Sequence, residues 1–428
     1  MSSTIFSSRA LALSISITHG TKAKIALLNK GLKPNEQVID LSIGTLDEPA
    51  DSTIDKMVID HITEHPNVIH EFAPVKGFDF LLEAIGQRVF RIRKVKYNPE
   101  KEIMVTPGGI KGSITVALQT LINVGDEVIV PIPNWPHYSD MIELSGGKVI
   151  DVMVSDFYNK GLTPEDLMKH VTERTKLVIL GDCVNPSGKI YNLQELTELS
   201  KVIAQYNTER QEKNIPPIQV LFDCPYESHI FEGPATIADI DINLSSGTVY
   251  SMKDCTILVT GPGKTYGMHG DRIGYICASP NTISVMSRVQ VNTNSFASTY
   301  GQIATYAAMQ ESMDEVATRR ALNSRKNLKE FVSKLTNISD INIPIPNGGF
   351  FIFADFTRYG QAIEKIGYEN TADFLLEKAR VATIAGSYFA NGSDELKHFV
   401  RMNTGRSQEV LDEAAQRIEV ALSTLEES

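Results

Sequence analysis

The sequence predicts an α/β fold: a large domain built on a mostly parallel seven-stranded sheet, joined to a smaller α+β domain. Three observations predict it. From about residue 100 to 280, short β-rich runs alternate with stretches of helical periodicity. Runs such as KLVIL (Lys176–Leu180) and IQVLF (Ile218–Phe222) are almost continuously apolar, as expected of parallel strands covered by helices on both faces. Beyond about residue 300 helices dominate, interrupted by a strand pair around FFIFADF and HFVRMN.

Taken in order, the expected strands are Glu102–Thr106, Glu127–Pro131, Lys148–Val154, Lys176–Leu180, Gln219–Asp223, Thr256–Thr260 and Arg272–Cys277. Helical stretches between them run over Ile110–Ile122, Thr163–His170 and Asn192–Asn207. A last helix, Ser407–Leu425, places Val410, Leu411, Ala414, Ile418 and Leu422 on one stripe, the spacing of a core-facing helix. In an open parallel sheet, ligands sit beyond the C-terminal ends of the strands, so chemistry is sought where strands run out.

Composition narrows the function classes. With 428 residues, 42% hydrophobic and 22% charged, the chain has the apolar content for a large core and the length for two or three domain-sized units. Lys+Arg of 41 against Asp+Glu of 52 leaves a net charge of −11, the wrong sign for a general binder of nucleic acid or anionic membrane. Cys183, Cys224, Cys255 and Cys277 form no C-x-x-C pair and have no His at zinc spacing, so no metal site is expected. They read as buried free thiols of a reducing compartment. The N-terminal stretch lacks the pattern of a signal peptide, and no apolar run has the length of a membrane span, so the expectation is cytoplasmic.

Five strand-end loops hold groups that can carry chemistry, and each also has a plain structural reading. In TILVTGPGKTYGMHGDRIGY, Lys264 follows a Gly-Pro-Gly turn and Arg272 lies eight residues on. A lysine at a strand end can form a Schiff base, and an Arg supplies a fork for phosphate or carboxylate; the alternative is a solvated loop. GPGKT also resembles a nucleotide-phosphate loop, but the first Gly of that pattern would fall on Leu258, inside the strand. FDCPY offers Asp223 as partner for a protonated ring nitrogen and Tyr226 as a phenol, or merely a cap. CVNPSG carries Asn185 in what is first of all a turn, and TPGGIKGS opens a helix whose N-terminal N–H groups suit an anion. PNWPHY holds Trp135, the single tryptophan, either a core residue or an aromatic platform. Together these five loops offer an amine, a carboxylate, a phenol and amide, a phosphate cradle and an aromatic face, the contacts pyridoxal phosphate requires.

With these groups in place, the sequence resembles the fold-type I pyridoxal-phosphate enzymes, specifically the class I/II aminotransferases related to aspartate aminotransferase. The resemblance rests on the order and spacing of LSIG, EFAPVKG, TPGGIKGS, VGDEVIVPIPNWPHY, NPSG, DCPY, Lys264 with Arg272, NGGFFIF and HFVRMN. It implies that Lys264 forms the Schiff base with pyridoxal 5′-phosphate and shuttles a proton, and that Asp223 pairs with the pyridine nitrogen. It further implies that Tyr226 and Asn185 bond the ring oxygen, that Trp135 stacks on the ring, and that Ile110, Lys111 and Arg272 grip the phosphate. Arg401 and Gly44 would receive the substrate α-carboxylate. A large domain over 51–318 and a small domain from 1–50 and 319–428 are implied, as is a homodimer with sites at the interface.

The chain departs from the family pattern at Gly261, at Phe72, in the TLDEP segment after Gly44 and at Asp271 beside Arg272. Gly261 stands where relatives carry a phosphate-binding Ser, with Thr260 as the possible substitute, and Phe72 stands where many carry Tyr. The expected reaction moves an amino group between an L-amino acid and a 2-oxo acid. The alternative is a lyase, cyclase or oxidase acting on an amino acid on the same scaffold. A third class, a cofactor-sensing regulator, lacks support because no basic helix-turn-helix segment precedes LSIG. Asp47, Glu48 and Asp271 are each either loop caps or partners for a basic substrate, and none is assigned.

Overall fold

The computed structural model describes residues 5–13, 17–231, 233–338 and 341–426. The expected domain limits at residues 1 and 428 therefore lie outside the described residues.

Seven strands form the central sheet: β1 (Ile103–Pro107), β2 (Glu127–Ile132), β3 (Lys148–Met153), β4 (Thr175–Gly181), β5 (Gln219–Asp223), β6 (Thr256–Thr260) and β7 (Ile273–Cys277). Their order is β1-β7-β6-β5-β4-β2-β3. All neighbours run parallel except β7, which is antiparallel to both β1 and β6. The strands carry apolar side chains on both faces because both are covered. Val178 and Leu180 of β4 join one core cluster while Leu177 and Ile179 join another across the sheet.

Every expected strand forms within two residues of its anticipated ends. The helix expected over Asn192–Asn207 instead continues as Leu193–Glu212. The extension has a tertiary cause: its polar residues are buried and paired rather than solvated. Asn207 donates to Ile218 O (2.9 Å) and accepts from Ile218 N (2.7 Å), and Arg210 donates to the carbonyls of Thr172, Glu173, Thr175 and Pro216.

A three-stranded antiparallel sheet holds β8 (Phe351–Asp355), β9 (Ile384–Ala385) and β10 (Phe399–Asn403), with Phe353 opposite Arg401. Its core cluster includes Leu41, Phe331, Phe356, Phe374 and Ile418. The last helix, Gln408–Glu426, buries Leu411, Ala414, Ile418 and Leu422 there, while Val410 of the expected stripe is only half-buried.

A web of buried ions braces the sheet under its C-terminal edge. Arg93, at the end of helix Asp79–Arg93, donates to Asp182 just past β4 (2.6 Å), and both side chains are at most 1% exposed. Glu227 lies 3.5 Å from Arg93 and 2.9 Å from Arg88, which also reaches Asp314. Breaking such a pair strands a buried charge, whereas removing both partners does not. Arg93→Met is expected to destabilise the fold by about 3–5 kcal/mol, and Arg93→Met with Asp182→Leu to recover most of that loss. Equilibrium urea unfolding measures both, and equal destabilisation of the single and double variants contradicts the pairing.

Candidate active site

Because the parallel strands end on one edge of the sheet, the loops after β1, β2, β4, β5 and β6 converge there. They meet β8 and β10 around a cavity of about 290 Å³. Gly44, Ile110, Lys111, Trp135, Asn185, Asp223, Tyr226, Lys264, Arg272 and Arg401, the ten residues anticipated above, all line it.

Lys264 sits on a four-residue helical turn, Gly263–Tyr266, directly after β6. Its Nζ donates to the Tyr226 hydroxyl at 2.7 Å and lies 4.0 Å from the centre of that ring. Burial holds the ammonium pKa below the ordinary lysine value, against the opposing pull of the Asp223 charge. Asp223 ends β5, and burial pushes its carboxyl up. Tyr138 donates to Asp223 Oδ2 at 2.5 Å, which favours the charged form, while Oδ1 is buried without a partner.

The wall opposite belongs to the small sheet. Arg401, on β10, donates from Nη1 to Asn185 Oδ1 (3.0 Å) and from Nη2 to Ser42 O (2.5 Å), leaving Nε buried and unpaired. Burial pulls its pKa down to about 10, so it stays cationic at neutral pH. The guanidinium lies 4.2 Å from the Phe351 ring centre. A Cβ at Gly44 would stand 2.7 Å from Phe351 Cζ, so any side chain there displaces that ring.

An anion cradle closes the far end. Helix Ile110–Leu121 begins after Gly108 and Gly109, both at positive φ. A Cβ on Gly109 would crowd the Arg272 guanidinium at 3.2 Å. Arg272 donates to Gly108 O (2.5 Å) and His269 O (3.2 Å). Thr260, the anticipated substitute at Gly261, does not serve: its hydroxyl donates away from the cavity to Cys224 O at 2.7 Å. A side chain at 261 has no room either, since a Cβ would meet Ile273 O at 2.8 Å.

Asp47 pairs with Arg406 (2.5 Å) and Glu48 with Arg319 (3.4 Å); neither they nor Asp271 line the cavity. Sequence reasoning missed Tyr138 and His269, which do line it. Tyr138 follows Trp135 by three residues at the start of helix His137–Leu144, so helical spacing was its available signal. His269 had none, since a histidine in a loop reads as solvated.

The family model for aminotransferase class I and II matches residues 36–418. The chain is 30% identical to a probable aspartate/prephenate aminotransferase of Aquifex aeolicus, over 83% of this chain and 84% of that protein. It is 28% identical to the aspartate aminotransferase of Bacillus subtilis, over 94% and 96%. Among solved structures, the aspartate aminotransferase of Rhizobium meliloti superposes with a TM-score of 0.84 at 26% identity, covering 98% of this chain and 99% of that one.

Only the free-base amine adds to an aldehyde, so a lowered Lys264 pKa brings its reactivity toward neutral pH. Pyridoxal added to the cofactor-free protein is expected to form an imine whose extent rises with pH. The midpoint should lie more than about one unit below the ordinary 10.5. Absorbance against pH measures it, and a midpoint at 10.5 contradicts the burial effect.

Proposed function

Because the chain belongs to the class I and II aminotransferases, which depend on pyridoxal 5′-phosphate, we propose that it moves an amino group between an L-amino acid and a 2-oxo acid at the cavity around Lys264. The observation that carries this reading is the buried, unpaired Asp223 Oδ1 in the same cavity as the Lys264 amine. A protonated pyridine nitrogen is the donor that oxygen lacks, and the cradle at Gly108–Lys111 with Arg272 suits a phosphate at the opposite end. The residues fit the cofactor.

When bound, pyridoxal 5′-phosphate supplies an electron sink for the substrate Cα electron pair. Lys264 Nζ is the amine that would hold the cofactor at its aldehyde carbon. The same amine would be the base that takes the substrate Cα proton and returns it. Asp223 would keep the ring nitrogen protonated by presenting a carboxylate there, and Tyr138 favours the charged carboxylate through its hydrogen bond. Tyr226 and Asn185 would bond the ring oxygen, and Trp135 would cover a ring face. Arg401, held by Asn185 and Ser42 and backed by Phe351, presents a fixed cation to the α-carboxylate, with the Gly44 backbone beside it.

The division into 51–318 and the two chain ends belongs to the same proposal, supported by the separate apolar cluster around β8 and β10. So does a homodimer: Phe72 is 92% exposed, with its ring edge-on to Phe296 at 5.7 Å. A cytoplasmic location fits the four free, buried cysteines.

Mixed with one amino acid alone, the holoenzyme is expected to convert its bound aldehyde to the amine form and stop, with turnover resuming when a 2-oxo acid is added. Continuous product without acceptor overturns the transfer reaction. Lys264→Ala should lower turnover by more than about a thousandfold. Tyr138→Phe should lower kcat about tenfold with KM nearly unchanged, since its hydrogen bond acts on the ring-side carboxylate and not on the substrate. Steady-state kinetics measures both, and a Tyr138→Phe enzyme altered only in KM refutes that role.

A further inference from the structure

A phosphate dianion needs donors for three terminal oxygens, and the cradle is poor in side chains that can supply them. Gly108, Gly109, Gly261 and Gly263 bring none. The Thr260 hydroxyl is committed to Cys224 O. Thr106 and Ser113, at the base of the cradle, bond each other at 2.6 Å. Lys111 turns its ammonium toward Trp135, 5.2 Å from the ring centre. What remains are the first N–H groups of helix Ile110–Leu121, the Arg272 guanidinium and His269.

His269 lines the cavity five residues after Lys264, and its Nε2 is buried with no hydrogen-bond partner. The ring stands against the turn at Gly263, whose Cβ position is 3.7 Å from His269 Nδ1. Its carbonyl receives Arg272 Nη1, so the histidine and the arginine are held as one unit. Burial and the nearby Lys264, Arg320 and Arg272 charges pull its pKa down to about 4. The ring is therefore neutral at pH 7, with a single N–H to offer.

We propose that His269 is a phosphate-binding residue of this chain, donating from Nε2 to the cofactor phosphate beside Arg272 in place of a hydroxyl side chain. The proposal rests on the cofactor assignment above. A buried ring nitrogen left unpaired is costly, and with the single ring proton on Nε2 an anion at the cradle is the acceptor that removes that cost.

The test compares two ligands that differ only in the phosphate. The full-length chain, freed of cofactor, is titrated with pyridoxal 5′-phosphate and with pyridoxal, following absorbance. His269→Gln is expected to weaken the phosphorylated ligand about tenfold or more and to leave pyridoxal unchanged, which also shows that the pocket is intact. In the holoenzyme, the 31P resonance of the bound cofactor should differ between wild type and His269→Gln. Equal weakening of both ligands, unchanged affinity for both, or an unmoved 31P resonance each overturns the role of His269. A wild-type chain with no affinity for either ligand overturns the cofactor assignment itself, and this inference with it.

Discussion

The burial of one lysine amine is the constraint on which the rest of the site depends. An ammonium removed from water either loses its proton or finds compensation, and Lys264 does some of both. Its Nζ rests on the Tyr226 hydroxyl, Asp223 opposes the desolvation with its charge, and Arg401 adds to the pressure toward the free base. None of these three residues is near Lys264 in sequence. Asp223 and Tyr226 arrive from the end of β5 and Arg401 from β10, so the amine keeps its reactive state only while the two sheets hold their geometry.

That geometry is braced by charge as well as by apolar packing. The Arg93–Asp182 pair clamps the segment that runs from β4 to Asn185, and Glu227, the residue after Tyr226, meets the same arginine. Two loops that carry cavity-lining groups are thereby joined to helix Asp79–Arg93, which has no residue in the cavity. Buried ion pairs add little net stability compared with apolar packing, but they penalise any shift that separates them. The arrangement exchanges stability for position.

Much of the fold was legible because the strands are short apolar runs bounded by turns, a pattern with few alternative readings. The site was legible for a related reason. Lys264, Asp223, Asn185 and the Gly108–Lys111 turn all follow strands, and the rule that ligands gather at strand ends brings them together before any distance is known. Helix Leu193–Glu212 was underestimated because Asn207 and Arg210 look like surface residues until their partners at Ile218 and Thr175 are seen. Thr260 looked like a usable hydroxyl until the structure aimed it at Cys224 O.

By itself, the sequence determined the fold class and the order of the strands along the chain, through local periodicity, and its resemblance to a known family pointed to ten residues that line the cavity. Only the tertiary structure decided which donors remain free once the buried polar groups have chosen partners. Tyr138 is committed to Asp223, and Thr106 and Ser113 to each other, while Nε2 of His269 is left without a partner. Hydrogen-bond commitment is a property of three-dimensional neighbours, set by distances that no spacing along the chain encodes.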